Sequence, residues 1–382
     1  MTMPSPEEVR VEVKAWLEEN WDPDLTVGEW WDILARSGYA APIFPDDAWG
    51  KGWPRDLANV VSETITEHGA IGPPAGLGYL LTAPTIVAHG TDLQKADELL
   101  RILNGQDAWC QLFSEPGAGS DLAGLSTRAA RDGDEWTVNG QKVWTSRGAY
   151  AQFGLLLARH DSSVRKHRGI TAFGLDLRGA GVDVRPLRQM NGDAHFTEVF
   201  LDDARVDDAD RIGEPGDGWR VALTCLSYER GASTAGGTSG LLDVGRLVEL
   251  AQARGRSSEP LIRDALARLI IETRVMGYTA RRAGDTALAG RPGPEGSGMK
   301  VRGAALFKSY TALATRILGA DGALDPHGEW QTLFLTAPSI SIRGGTDEIQ
   351  RNIVGERVLG LPEEPRVDRA LPFDQLPRSS TR

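Results

Sequence analysis

Apolar positions change their spacing twice along this chain. In the first hundred residues they recur three and four apart, as in "VRVEVKAWLEEN" and "VGEWWDILARSG", which predicts amphipathic helices. "TDLQKADELLRILNG" reads as another helix, with a Thr-Asp start and an Asn-Gly stop. The Pro- and Gly-rich text "AAPIFPDDAWGKGWPRD" between them reads as loop.

Near Trp109 the pattern turns into short runs of β-prone residues bounded by turn formers. "DEWTVNGQKVWTS" is two such runs around Asn139-Gly140, a dipeptide favoured in tight hairpin turns, so a hairpin is predicted there. "FGLLLARHD", "GITAFGLDL", "GVDVRPL" and "EVFLDDARV" follow at strand length. From Gly218 long helical periodicity returns, in "GWRVALTCLSYERGASTAGGTSGLLDVGRLVELAQARG" and "LIRDALARLIIETRVMGYTARRAGDTALAG". The tail "RALPFDQLPRSSTR" reads as loosely ordered. The expected organisation is α+β: a helical domain over 1–108, a β domain over 109–212, a helical domain over 213–365 and a tail over 366–382.

Composition narrows the function. A formal net charge of −11 supplies no basic stripe for nucleic acid. Two cysteines, Cys110 and Cys225, make no disulfide framework, so a reducing cytoplasm is expected. No apolar run approaches the ~20 residues of a membrane span. No metal site is expected.

Two motifs carry chemistry. "WCQLFSEPGAGSDLAGL", residues 109–125, suits a loop beside a large planar ligand. Gly117 and Gly119 allow close backbone approach, and Gln111, Ser114 and Ser120 offer hydrogen-bonding groups. "ISIRGGTDEIQRNIVGERVLG", residues 340–360, starts a helix at Thr346 with Asp347 and Glu348 in its first turn. Taken singly, the first motif is a glycine turn and the second a well-capped helix. Together, and with "NGQKVWTS", they resemble the acyl-CoA dehydrogenases, FAD-dependent enzymes that desaturate acyl thioesters. The resemblance covers residues 80–362 and implies a helical N-terminal domain, a middle β-barrel or sheet, and a C-terminal four-helix bundle.

By position, the resemblance implies that Gln111, Phe113 and Ser114 line the flavin ring. Ser120 lies near the pyrophosphate or the substrate thioester. Trp144 packs on the ring, and the hydroxyl or main chain of Ser146 approaches flavin N5. Thr346 and Glu348 lie against the FAD. Many relatives carry the catalytic glutamate at the place of Gly344. In a minority the base stands on the first long C-terminal helix, immediately before an arginine, and Glu229-Arg230 matches that place. On a helix Ala222, Leu226, Glu229 and Ser233 form one stripe, so Glu229 shares a face with small and apolar residues. The bland alternative is a solvated Glu-Arg pair. Burial would raise the Glu229 pKa towards that of a working base. Gly344 keeps the N–H that relatives use to polarise the thioester, and Tyr228 and Arg230 flank the base at the substrate.

The resemblance further implies an electron-transfer flavoprotein or similar acceptor and a homotetramer that completes each FAD site from a neighbouring subunit. Two departures bear on that assembly. "ARGRSSEPLIRD" lacks the usual "R-x-x-F-G", leaving Arg254 or Arg256 to reach a pyrophosphate, and "ILGADGALD" keeps Gly319 and Gly322 but has Ala320 between them. A heterotetramer is therefore the alternative. A flavin oxidase and a non-catalytic partner subunit are the rival functions.

Overall fold

Ser5 and Thr26 start their helices by the same device. Each side chain accepts the N–H three residues on, and that residue's glutamate, Glu8 or Glu29, takes the cap's own N–H. α1 (Pro6–Asn20) then buries Val9, Val13 and Leu17 at four-residue spacing against α3 (Arg55–His68), while α2 (Val27–Arg36) buries Trp30 and Leu34. α4 (Ala83–His89) follows a single π-helical turn. The helix predicted over 91–105 is two pieces, α5 (Asp92–Ala96) and α6 (Glu98–Leu103), broken at Asp97. The break turns Leu99, Leu100, Ile102 and Leu103 into the core while Leu93 stays in solvent.

The computed structural model describes residues 3–236, 242–288, 295–324, 328–365, 368 and 370–377. It divides into two compact units: residues 1–187, 194–228 and 367–382, and residues 188–193 with 229–366.

In the first unit the strands are β1 (Trp109–Leu112), β2 (Arg128–Asp132), β3 (Glu135–Ser146), β4 (Phe153–Arg159), β5 (Ile170–Asp176), β6 (Val182–Leu187), β7 (Phe196–Asp207) and β8 (Arg211–Ile212). They form one sheet in the order β6-β7-β3-β2-β4-β5-β8, with β1 parallel to β4. No hairpin turn exists at Asn139-Gly140. The chain runs straight on through β3, and the turn lies at Gly133-Asp134, where Asp132 pairs with Glu135. Asn139 instead exchanges hydrogen bonds of 2.9 Å with Asp203 on β7. A register shift at Gly140 marks a bulge, and a Cβ there would lie 2.8 Å from the Thr127 backbone. A glycine that looks like a turn residue is thus required by close packing.

α7 (Gly218–Gly236) begins in this unit, burying Val221, Ala222 and Cys225. The tail is also held here, contrary to the expectation of loose order. Pro372 bridges Arg165, the Phe373 and Asp374 N–H groups donate to Val164 and Ser162 carbonyls at 2.9 and 3.0 Å, and Asp368 pairs with Lys166. The buried Phe373 ring lies under the Arg159 guanidinium, 3.5 Å from its carbon. An aromatic anchor inside polar text is invisible to composition.

The second unit is helical: α8 (Val244–Ala253), α9 (Pro260–Leu288), α10 (Glu295–Leu318), α11 (Asp321–Leu324), α12 (Glu329–Ile340) and α13 (Asp347–Arg357). α10 is its axis. It buries Ala304, Phe307, Tyr310 and Ala314 and touches α8, α9, α12 and α13. Among the described residues no helix is long and apolar enough to cross a membrane.

Phe373→Ala is expected to lower stability by about 3 kcal/mol, the cost typical of removing a buried phenyl ring. Thermal unfolding followed by circular dichroism measures it, and an unchanged midpoint would mean that the tail is not anchored.

Candidate functional site

The first motif sits where β1 stops. After Leu112 the chain passes through Phe113 and Ser114 and turns back on itself, with Glu115 and Ala118 exchanging backbone hydrogen bonds of 3.0 and 3.1 Å. Cβ atoms on Gly117 or Gly119 would meet nothing within 4 Å, so the fold itself does not require glycine at either position.

The second part of this site is a bulge in β3. Lys142 pairs with Val199 and Thr145 with Thr197, so one extra residue is accommodated between them. Trp144 absorbs it with φ +61°, a backbone state uncommon for a bulky residue. Trp144 is 58% exposed, and its indole stands edge-on to the Phe196 ring, at 5.8 Å between ring centres. The bulge also releases the Val143 N–H from the ladder, and it donates to the Ser114 carbonyl at 2.9 Å. Beside it, Lys142 is wholly buried and donates to the Phe113 carbonyl at 3.1 Å and to Glu115 Oε1 at 2.8 Å. Glu115 also accepts from the Ser126 N–H at 2.7 Å, the Ser126 hydroxyl at 3.0 Å and the Thr127 N–H at 2.9 Å. Burial pulls the Lys142 ammonium down to about 8 against the pull of Glu115. Burial pushes the Glu115 carboxyl up, but Lys142 and the Ser126 and Thr127 donors outweigh it and hold it below its ordinary range.

Sequence reading passed over Lys142 and Glu115. The available signal was a charge at each of two positions that a strand-and-turn pattern would fill with an apolar or small residue. Of the predicted flavin contacts, Phe113 and Ser114 follow β1, and the Ser114 carbonyl accepts the Val143 N–H, which brings this segment beside the β3 bulge that holds Trp144; Ser146 lies two residues further along β3, opposite Phe196. The hydroxyls of Ser114, Ser120 and Ser146 have no hydrogen-bond partner among the described residues. Gln111 is turned the other way in part: its Nε2 donates to Cys225 Sγ on α7 at 3.4 Å. An outward indole, open glycines and unengaged hydroxyls fit a large flat ligand with polar edges, as FAD is.

In the second unit, the loop before α13 is built from two glycines in left-handed backbone, Gly344 at φ +66° and Gly345 at φ +83°. Thr346 caps α13 by accepting the Ile349 N–H. Asp347 is buried, takes Lys300 Nζ at 2.9 Å, and donates its own N–H to the Ser341 carbonyl at 2.9 Å. Burial pushes its carboxyl up, but the Lys300 and Ser341 hydrogen bonds hold it below the usual range. Gln350 donates to the Gly344 carbonyl at 3.0 Å. The Gly344 N–H itself has no hydrogen-bond partner among the described residues. Glu348 is exposed and lies 3.5 Å from Arg351.

Glu229 is half-buried on α7, and a Cβ on Gly344 would stand 3.9 Å from its Oε1. Tyr228 is 36% exposed. The side chains of Arg230 and Ser233 lie outside the described residues, and with them the last position of the expected stripe. Arg254 and Arg256 are both engaged within the chain. Arg254 pairs with Asp321, while Arg256 pairs with Glu259 at 2.6 Å and donates to the Arg316 and Ile317 carbonyls.

Residues 110–204 match the family model for the acyl-CoA dehydrogenase middle domain, and residues 216–359 the model for its C-terminal domain. The acyl-CoA dehydrogenase IpdE1 of Mycobacterium tuberculosis is 37% identical over 379 residues, 94% of this chain and 98% of that protein. Among solved structures, the ChsE4-ChsE5 complex of Mycobacterium tuberculosis matches at 29% identity and TM-score 0.72, over 95% of this chain and 99% of that one. The Tcur3481-Tcur3483 steroid acyl-CoA dehydrogenase matches at 26% identity and TM-score 0.75, with the same coverage. The chain belongs to the acyl-CoA dehydrogenase family. It is an FAD-dependent oxidoreductase of mixed helix and sheet, with the sheet in the middle of the chain and helices at its C-terminal end.

Because nothing among the described residues lies within 4 Å of a Cβ at Gly117 or Gly119, Gly117→Val and Gly119→Val are expected to leave the thermal midpoint of the FAD-free protein unchanged. FAD affinity is expected to fall at least ~10-fold, the loss of about 1.4 kcal/mol. Titration of flavin fluorescence checks this, and unchanged affinity would show that the glycines do not face the cofactor.

Proposed function

We propose that the protein desaturates an acyl-CoA thioester between its α and β carbons, with Glu229 as the base. The observation that carries this reading is the 3.9 Å between Glu229 Oε1 and the Cβ position of Gly344. A carboxylate carried on α7 therefore reaches the region that a side chain at 344 would occupy, which is where many relatives hold their base. Bound FAD supplies the acceptor for the β-hydride. The Glu229 carboxylate takes the α-proton. The Gly344 N–H donates to the thioester carbonyl, drawing charge onto oxygen and making the α-hydrogen acidic enough for a carboxylate to remove. Trp144 and the hydroxyls of Ser114 and Ser146 hold the flavin, with Ser120 at its pyrophosphate or at the thioester. Thr346 and Glu348 meet the FAD from the start of α13, and Tyr228 and Arg230 border the acyl group. Electrons leave to an electron-transfer flavoprotein or similar acceptor. The relative named as a steroid acyl-CoA dehydrogenase favours a bulky, steroid-derived acyl group over a straight fatty chain.

Glu229→Gln is expected to retain FAD and its visible spectrum while slowing flavin bleaching by acyl-CoA ~10²–10⁴-fold, the usual weight of a general base. Stopped-flow absorbance measures it. Reduction at the wild-type rate would remove Glu229 from the mechanism.

A second reading concerns assembly. Arg254 and Arg256 are held by Asp321 and Glu259, so neither guanidinium is free to reach a pyrophosphate without breaking an ion pair. Two similar solved structures are complexes of two different chains. Both observations favour a heterotetramer over the homotetramer. Expressed alone, the protein is expected to hold less than one FAD per chain and to gain it with its partner chain. Sedimentation with flavin absorbance decides, and a homotetramer with full FAD would overturn the reading.

A further inference from the structure

The segment Phe113–Ser114 and the β3 bulge at Val143–Trp144 belong to strands that are not neighbours in the sheet. β1 pairs only with β4, whereas β3 pairs with β2 and β7. No ladder therefore sets the distance between the end of β1 and the β3 bulge. Two ties span it: the Val143 N–H to the Ser114 carbonyl at 2.9 Å, and Lys142 Nζ to the Phe113 carbonyl at 3.1 Å and to Glu115 at 2.8 Å. We propose that Lys142 is a positioning residue for the flavin pocket: braced by Glu115, it fixes the gap between β1 and the β3 bulge and so presents Ser114 and Trp144 to the cofactor. The inference rests on the family's use of FAD and is independent of Glu229.

Three observations support it. First, the ammonium is wholly buried, an arrangement that costs stability unless every proton finds an acceptor, and replacing such pairs by apolar residues is often neutral for folding. Stability alone does not account for a lysine here. Second, both Lys142 acceptors lie on the Phe113–Glu115 segment that follows β1, and the lysine itself is two residues before Trp144. Third, Glu115 is in turn fixed by Ser126 and Thr127, so the brace has a rigid footing rather than a mobile one. A fully buried pair with convergent donors behaves as a fixed strut, because each partner has one geometry that satisfies it.

The test compares the wild-type holoenzyme with Lys142→Met/Glu115→Gln, which removes both charges and keeps one acceptor oxygen, enough for the Ser126 donors or for the Thr127 N–H but not for both. FAD release on dilution is followed by flavin fluorescence, and the visible flavin band reports the surroundings of the ring. The double variant is expected to fold and to release FAD at least ~10-fold faster, with a displaced visible band. The band is read on the flavin that stays bound after gel filtration, because released FAD would displace it by itself. A folded variant with wild-type release and an unmoved band would overturn the proposal and leave the pair a packing feature. Should the variant fail to fold, hydrogen exchange in the wild-type holoenzyme decides. The Val143 amide has no partner on β7, so slow exchange there shows the tie closed, and exchange at the rate of an open amide overturns the proposal.

Discussion

A 2.8 Å contact between an ammonium and a carboxylate, sealed from water, joins two stretches of chain that no β-ladder connects. Much of the first unit is organised outward from it. Glu115 gathers the Ser126 and Thr127 backbone, and the Thr127 carbonyl takes the Arg159 N–H at 2.7 Å. The Arg159 side chain then spends its donors on the Leu125, Ala123 and Lys166 carbonyls at 2.7–3.0 Å. Phe373 closes the far side of that guanidinium, and Lys166 reaches Asp121 at 2.8 Å as well as Asp368. The loop after β1 and the segment 368–373 are thus two ends of one polar network. Such networks hold a single arrangement when every member is satisfied.

The second unit solves a different problem. It must hold a glycine pair in left-handed backbone without letting the loop collapse. Asp347 and Lys300 secure one side, and Gln350 secures the Gly344 carbonyl from the other. A Cβ on Gly345 would fall 2.6 Å from Gln350 Nε2, so that glutamine occupies space only glycine leaves open. The result is a braced turn whose Gly344 N–H has no hydrogen-bond partner among the described residues.

Local pattern revealed the elements whose burial follows from their own spacing. Val9, Val13 and Leu17 declare a helix face, and the apolar runs of β4 and β5 declare strands buried on both sides. Long-range placement stayed hidden. Asn139-Gly140 has the chemistry of a turn, yet its glycine is needed because Thr127 presses on it and its asparagine because Asp203 stands opposite. Phe373 looks like part of a polar tail until Arg159 is known to lie over it. For the site, the residues expected to meet a ligand stood out because their types suit one. Lys142 and Glu115 were not, because their work is done on each other. Arg254 and Arg256 looked available for a phosphate, and only folding brings Asp321 and Glu259 to them.

The left-handed turn at Gly344 also has an evolutionary side. An L-residue with a side chain pays roughly 1–2 kcal/mol to adopt that backbone. A single substitution to glutamate at 344 would therefore begin at a disadvantage, whatever it offered the chemistry, until the loop around it had been rebuilt. Substitutions that relax the turn first gain nothing by themselves. The paired left-handed glycines thus act as a ratchet: any side chain at 344 must first overcome the backbone, and the route back from glycine runs uphill.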